Sequence, residues 1–137
     1  KGVTAFVRSA IIAATNGLQF ETEIVKDISV HLPESQLKKA ISNILSNAVN
    51  YTETGKSIKV SLDKSRLIIQ NDCVPLSSNE LQHIFEPFYR PDRVYTSANG
   101  GNGLGLYIVK TILDKLELQY HFKPMHFGNG MEFVIFF

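Results

Sequence analysis

The sequence lacks most of the features that mark a secreted, membrane-spanning or polyanion-binding protein. One cysteine, Cys73, stands among 137 residues. No internal disulfide can form, and the usage fits a reducing compartment. Lysine plus arginine (14) nearly balances aspartate plus glutamate (13), for a formal net charge of +1, so no strong basic field points to nucleic acid. No apolar run approaches the ~20 residues that a membrane helix needs. The segment Ala10-Ile11-Ile12-Ala13-Ala14 is short and opens an amphipathic pattern rather than a signal-peptide core. Repeats and low-complexity tracts are absent. The four histidines, His31, His83, His121 and His126, share no metal-ligand spacing. The length suits one domain, and a hydrophobic content of 44% is ample for one core. The chain begins with Lys rather than Met, which leads to the expectation of a fragment of a longer protein.

Periodicity divides what is present into helices and strands. Val3, Phe6, Val7, Ala10, Ile11 and Ala14 recur at helical spacing and predict a helix from Val3 to Asn16. Phe20 to Val25 and then Ile28, Val30 and Leu32 alternate, predicting two strands. From Glu34 or Ser35, the stripe Leu37, Ile41, Ile44, Leu45, Ala48 and Val49 predicts a long amphipathic helix. Asn43 and Asn47 share one of its faces, and Asn50 and Tyr51 close it. Asparagine is a poor interior helix residue, so three of them are either a solvated face or a polar row lining a pocket. In the second case their neutral oxygens suit a hard cation such as Mg²⁺. Ile58, Val60 and Leu62, a turn at Asp63-Lys64-Ser65, and Leu67-Ile68-Ile69 predict a hairpin running into Asn71-Asp72-Cys73. Ser77 or Ser78 caps a short helix that Pro87 ends. Pro91 to Gly100 has no apolar period and reads as a lid-like loop. A last helix, a strand over Leu118 to Phe122, a turn at Gly128-Asn129-Gly130 and a strand over Glu132 to Phe137 complete the chain. This order predicts an α+β fold, a two-layer sandwich with a mixed, mostly antiparallel sheet packed on three helices.

The most informative stretch is Gly101-Asn102-Gly103-Leu104-Gly105-Leu106. Glycines let backbone approach a ligand closely. A helix starting here aims its unpaired N–H groups and positive dipole end at the loop, which suits a phosphate. A glycine-rich turn alone is weak evidence.

Four separated blocks then align. They are the asparagine-bearing helix, Asn71-Asp72 at a strand end, Phe85-Glu86-Pro87-Phe88-Tyr89-Arg90, and Gly101 to Leu106. Together they resemble the N, G1, F and G2 boxes of the catalytic ATP-binding domain of bacterial sensor histidine kinases, in the GHKL ATPase superfamily with its Bergerat-type fold. Gly128-Asn129-Gly130-Met131-Glu132-Phe133 is similar to the G3 box. The resemblance covers essentially residues 1–137, and it implies ATP and Mg²⁺ as ligands. It implies Asn47 at the metal, Asn43 one turn earlier facing the phosphates as the catalytic position, and Tyr51 beside the adenine. It implies Gly101, Gly103 and Gly105 in the phosphate loop, with backbone N–H groups of Leu104 to Leu106 receiving phosphate oxygens. Asn50 and Leu76 belong to the same cofactor-binding set. Phe85 and Phe88 are expected at the base of the lid, with Arg90 beside it.

The departures matter as much. Counting back from Phe85, the family's adenine-reading aspartate falls on Asn71, and two glycines of that box fall on Cys73 and Pro75. Asp72 is the rival reader if a one-residue bulge shifts the register. Neutral hydrogen bonds contribute about 0.5–1.5 kcal/mol against roughly 1.5–3 for charged ones, so an asparagine reader predicts ATP binding weaker by about tenfold. A frequent Lys or Arg of the family is replaced by Asn50, and a usual threonine by Met131, which predicts a more apolar wall. Cys73 reads as a small apolar filler, Glu86 as a structural residue near Pro87, and Lys110 as solvated.

The resemblance implies a kinase module that binds Mg²⁺-ATP and presents the γ-phosphate to a histidine. That histidine is expected on a dimerisation helix outside this chain. The expected partners are the protein's own dimerisation and phosphoacceptor domain and a response regulator, with no nucleic acid. The domain is expected in the cytoplasm and outside the membrane, within a membrane-anchored homodimer. The alternative is a degenerate, weak-ATP module in a sensor that acts mainly as phosphatase or scaffold. A third reading, a DNA-repair, topoisomerase or chaperone ATPase, needs a glutamate base where Asn43 stands.

Overall fold

Alternating burial along the strands in the centre of the chain builds the sheet. The computed structural model describes residues 3, 5, 7, 19–24, 30–52, 56–63, 65–91 and 104–137. Among these residues, five strands, β1 (Gln19–Ile24), β2 (Ser57–Asp63), β3 (Arg66–Asp72), β4 (Gln119–Pro124) and β5 (Gly130–Phe136), form one sheet in the order β1-β2-β3-β5-β4. Only β1 and β2 are parallel. The long helix α1 (Glu34–Tyr51) lies between them in the chain, as a parallel pair requires a crossover. The short helix α2 (Ser78–His83) follows β3, and α3 (Gly105–Lys115) precedes β4. The mixed, mostly antiparallel sheet agrees with the sequence reading.

Register turns that alternation into rows. Val60 pairs Ile69, which pairs Phe133, which pairs Phe122. One row along, Leu62, Leu67, Ile135 and Tyr120 are aligned in the same way. The third row is Ile58, Asn71, Met131 and Pro124. Because side chains alternate between faces, all three rows share one face. Val60, Ile69, Leu62, Leu67, Phe133 and Ile135 are buried there. Asn71 thus occupies an apolar position at one end of the sheet.

Helices α1 and α3 pack on each other, and α1 also meets β3. From α1, Leu37, Ala40, Ile41, Ile44, Leu45 and Ala48 are buried, and from α3, Leu106, Val109, Ile112 and Leu113. These sets recur every three or four residues, the apolar stripe of an amphipathic helix. Helix α3 ends in a tight Schellman turn. Leu118 N–H donates to the Leu113 carbonyl at 3.0 Å, and Glu117 N–H to the Asp114 carbonyl at 3.1 Å. Glu117 takes the left-handed conformation, φ 58°, where glycine is usual.

The expected first helix is seen at Val3, Ala5 and Val7, and Val3 and Val7 are buried in the common core; the rest of that segment lies outside the described residues. Of the strand expected over Ile28 to Leu32, Ile28 lies outside the described residues, and the rest is corrected. Val30 and Leu32 belong to no strand and instead pack half-buried on the core. Their alternation reflects which side of the connection before α1 meets the core. The short helix runs to His83 only, so Ile84 and Phe85 lie just beyond it.

Candidate functional site

Helix α1 presents Asn43, Asn47 and Tyr51 at successive four-residue steps, and so on one face. Asn43 satisfies part of its carboxamide locally: its Nδ2 donates to the Lys39 carbonyl at 3.0 Å. This local bond makes the residue tolerable inside a helix. Its Oδ1 lies beside Gly105, 3.9 Å from where a Cβ would stand there. The polar row of α1 therefore meets the start of α3. Asn50 is half-buried in the last turn, and Thr52 closes the helix with its hydroxyl donating to the Ala48 carbonyl at 2.5 Å.

The sheet supplies the opposite wall. Asn71 is 6% exposed, yet its side chain makes no hydrogen bond to a described residue. Asp72 lies on the other face of the sheet, where its Oδ2 accepts from the Ser57 hydroxyl at 3.0 Å and from the Ser57 N–H at 3.2 Å. No bulge interrupts the pairing, which runs unbroken from Ile58↔Asn71 to Asp63↔Arg66. The structure does not bring Asp72 to the Asn71 side of the sheet.

Asn47, Tyr51, Asn71 and Leu76 line one cleft, together with Cys73 and Met131. Its empty space, open mouth included, is about 320 Å³. Val74, Ile84, Pro91 and Phe122 also line it, and the sequence reading did not single them out. For Phe122 a signal existed: strand alternation puts it on the same face as Asn71. Cys73 is a buried filler, as expected. The Leu76 N–H points at the Met131 sulfur, 3.4 Å away. No charged side chain is among the described lining residues.

At the α3 end, the helix starts at Gly105 after Leu104 and carries no side-chain cap. The first N–H groups of a helix have no intrahelical acceptor. Leu106 is buried in the core. Gly101 and Gly103 lie outside the described residues, as does the lid expected up to Gly100 apart from Pro91. Arg90 is exposed and does not line the cleft.

The block after the cleft loop is anchored by local chemistry. Ser77 Oγ accepts from the Glu80 N–H at 3.1 Å, and Glu80 Oε1 accepts from the Ser77 N–H at 2.9 Å. This capping box starts α2. Phe85 then inserts edge-on among Tyr120, Phe122 and Phe133, with ring centroids 5.9–6.4 Å away. Phe88 corrects the expectation of a second anchor: it is 70% exposed at φ 69°. Its backbone turns it outward, away from the cluster that holds Phe85. Glu86 is engaged by His83, 2.7 Å away, and Lys110 by Asp114 in an exposed pair at 2.7 Å.

Residues 33–137 match the family described as histidine kinase-, DNA gyrase B- and HSP90-like ATPases. The chain belongs to this ATPase family. Membership implies ATP binding. The chain is 35% identical over 124 residues to a sensor histidine protein kinase, HK06, of Streptococcus pneumoniae, covering 90% of this chain and 27% of that protein. It is 34% identical over 113 residues to the sensor protein VanSB of Enterococcus faecalis, covering 80% of this chain and 25% of VanSB. The chain thus spans about a quarter of the length of these curated relatives. The fold is that of the mycobacterial sensor histidine kinase MprB, with a TM-score of 0.80 and 23% identity over 98% of this chain and 94% of that one. It is likewise that of the nucleotide-free catalytic domain of histidine kinase ThkA, with a TM-score of 0.78 and 22% identity over 97% and 90% of the two chains.

The residues present fit an adenine nucleotide. A buried carboxamide without a described partner, apolar walls and an uncapped helix start are the complements of a purine edge, a purine face and a phosphate.

Proposed function

We propose that residues 1–137 form the catalytic ATP-binding domain of a sensor histidine kinase. In this reading the domain binds Mg²⁺-ATP in the Asn47–Asn71 cleft. It presents the γ-phosphate to a histidine on a dimerisation helix outside this chain, for relay to a response-regulator aspartate. The intact protein would be a membrane-anchored homodimer with this domain in the cytoplasm. Among the described residues, no helix is long and apolar enough to cross a membrane. The names of the relatives support the kinase reading.

The observation that carries it is the Asn71 carboxamide, 6% exposed and without a described partner, in a cleft that also holds Asn47. Its amide opens onto the cleft, where a bound base would offer it hydrogen-bond partners. Asn71 is the base reader in this reading and Tyr51 flanks the ring. Asp72, tied to Ser57, is a strand residue. The start of α3 and the Asn43 amide receive the phosphates. Asn47 contributes its neutral carboxamide oxygen to Mg²⁺. When bound, the ion offsets charge on the triphosphate. The chain's own part in phosphoryl transfer is positioning and exclusion of water. No structural observation favours the degenerate-module alternative.

Calorimetric titration of Mg²⁺-ATP into this chain, beside Asn47→Ala, tests the reading. Saturable binding that falls at least tenfold in the variant is the expected result. Absence of binding at millimolar ATP would overturn it.

A further inference from the structure

The cleft reads its ligand with a carboxamide and with no charged side chain among its described lining residues. A carboxylate is an acceptor only. A carboxamide has an acceptor oxygen and a donor NH₂ side by side. Toward a 6-aminopurine, Asn71 Oδ1 accepts from the exocyclic amino group while Nδ2 donates to ring N1. Toward a 6-oxopurine the roles exchange: Nδ2 donates to O6 and Oδ1 accepts from the protonated N1. The two pairings differ only by a half-turn of the amide.

The structure leaves that half-turn free. Neither end of the Asn71 amide is bonded to a described residue, so turning it breaks no hydrogen bond among the described residues. Its two neighbours in the sheet row are apolar, Ile58 and Met131. The Met131 sulfur already faces the Leu76 N–H. The walls therefore grip a ring face without reading its edge. Asn47, the other carboxamide, stands across the cleft on α1, one turn from the Asn43 amide that meets α3.

Resting on the nucleotide-site reading above, we infer that Asn71 gives this site dual purine acceptance: it takes 6-oxopurine triphosphates (ITP, GTP) as well as ATP. Discrimination comes from the atoms facing the base edge. A carboxylate there would set acceptor against acceptor at O6, and a carboxamide does not.

The test is calorimetry of the chain with Mg²⁺ and ATP, ITP or GTP, repeated on Asn71→Asp and Asn71→Ala, each checked for native folding by circular dichroism. Wild type should bind ITP or GTP within tenfold of ATP. Asn71→Asp should raise the preference for ATP at least tenfold. Asn71→Ala, which removes both the donor and the acceptor, should weaken ATP and the 6-oxopurine nucleotide by similar factors. ATP binding with both 6-oxopurine nucleotides more than tenfold weaker in wild type would overturn the inference while leaving the ATP site intact. So would a preference that Asn71→Asp does not move, or a loss confined to ATP in Asn71→Ala. Failure of wild type to bind any nucleotide would overturn the nucleotide-site reading itself, and this inference with it.

Discussion

Gly130 lies against the backbone of Asn71. A Cβ at Gly130 would run into the Asn71 carbonyl oxygen and stand 3.0 Å from the Asn71 carbonyl carbon and from the Met125 sulfur. Met125 can swing aside, but the strand backbone cannot. The end of the sheet that carries Asn71 therefore depends on a residue with no side chain, in the strand paired beside it.

Gly130→Ala should therefore open the β3–β5 ladder at its cleft end. Overpacking of this kind costs about 1–3 kcal/mol, which for a chain of this size corresponds to a melting point lower by roughly 3–10 °C. Thermal denaturation checks it, and an unchanged midpoint would contradict the contact. Nucleotide affinity should fall together with stability, because Asn71 moves with its strand.

Asp72 and Asn71 should separate cleanly in mutants. Asp72→Ala removes the two bonds to Ser57 and leaves the cleft lining untouched. Its expected cost is about 1 kcal/mol of stability, with ATP affinity within about twofold of wild type on the reading above. Asn71→Ala should lower ATP affinity about tenfold, the worth of roughly 1.4 kcal/mol. The reverse pattern, measured by calorimetry, would make Asp72 the reader.

Glu117→Gly should stabilise the fold. A non-glycine residue in the left-handed region costs roughly 1–2 kcal/mol, part of which glycine gives back through its greater entropy loss. A net gain of about 0.5–1 kcal/mol should appear as a higher midpoint in urea with an unchanged slope. The Schellman bonds at Leu118 and Glu117 should persist, since both donors are backbone groups.

Tyr120 ties the pH dependence to α3. Burial, then its hydrogen bond to Asp114 at 3.0 Å, pushes its phenol up to about 12. An unfolded tyrosine titrates near 10. Between those values the unfolded chain releases a proton that the folded chain keeps, so stability falls as pH rises from about 10 to 12. Lys110, and then Tyr120, hold the Asp114 carboxyl below its usual range against the opposing effect of burial. That contribution is present above pH ~4 and is lost as pH falls through the folded value. In a spectrophotometric titration the Tyr120 phenol should give a late component near pH 12. Tyr120→Phe should abolish both that late component and its share of the alkaline loss.

Local chemistry is legible in the residues themselves. The stripe Leu37 to Ala48 makes α1, Ser77 with Glu80 makes the capped start of α2, and the alternation in β2 with the apolar runs of β3 and β5 makes the sheet. The blocks around Asn43, Phe85 and Gly105 also point to the family. These features rest on neighbours within a few residues, so periodicity and side-chain type suffice for them.

Long-range register decided the rest. Whether Asn71 or Asp72 faces the cleft depends on an unbroken ladder with β2 and β5, and a one-residue slip would exchange them. That Phe88 turns outward while Phe85 enters the aromatic cluster follows from a backbone angle that no composition reveals. Val30 and Leu32 alternate like a strand, yet they belong to none. Alternation reports which side of a segment is covered, and only the assembled fold says whether a helix or another strand does the covering.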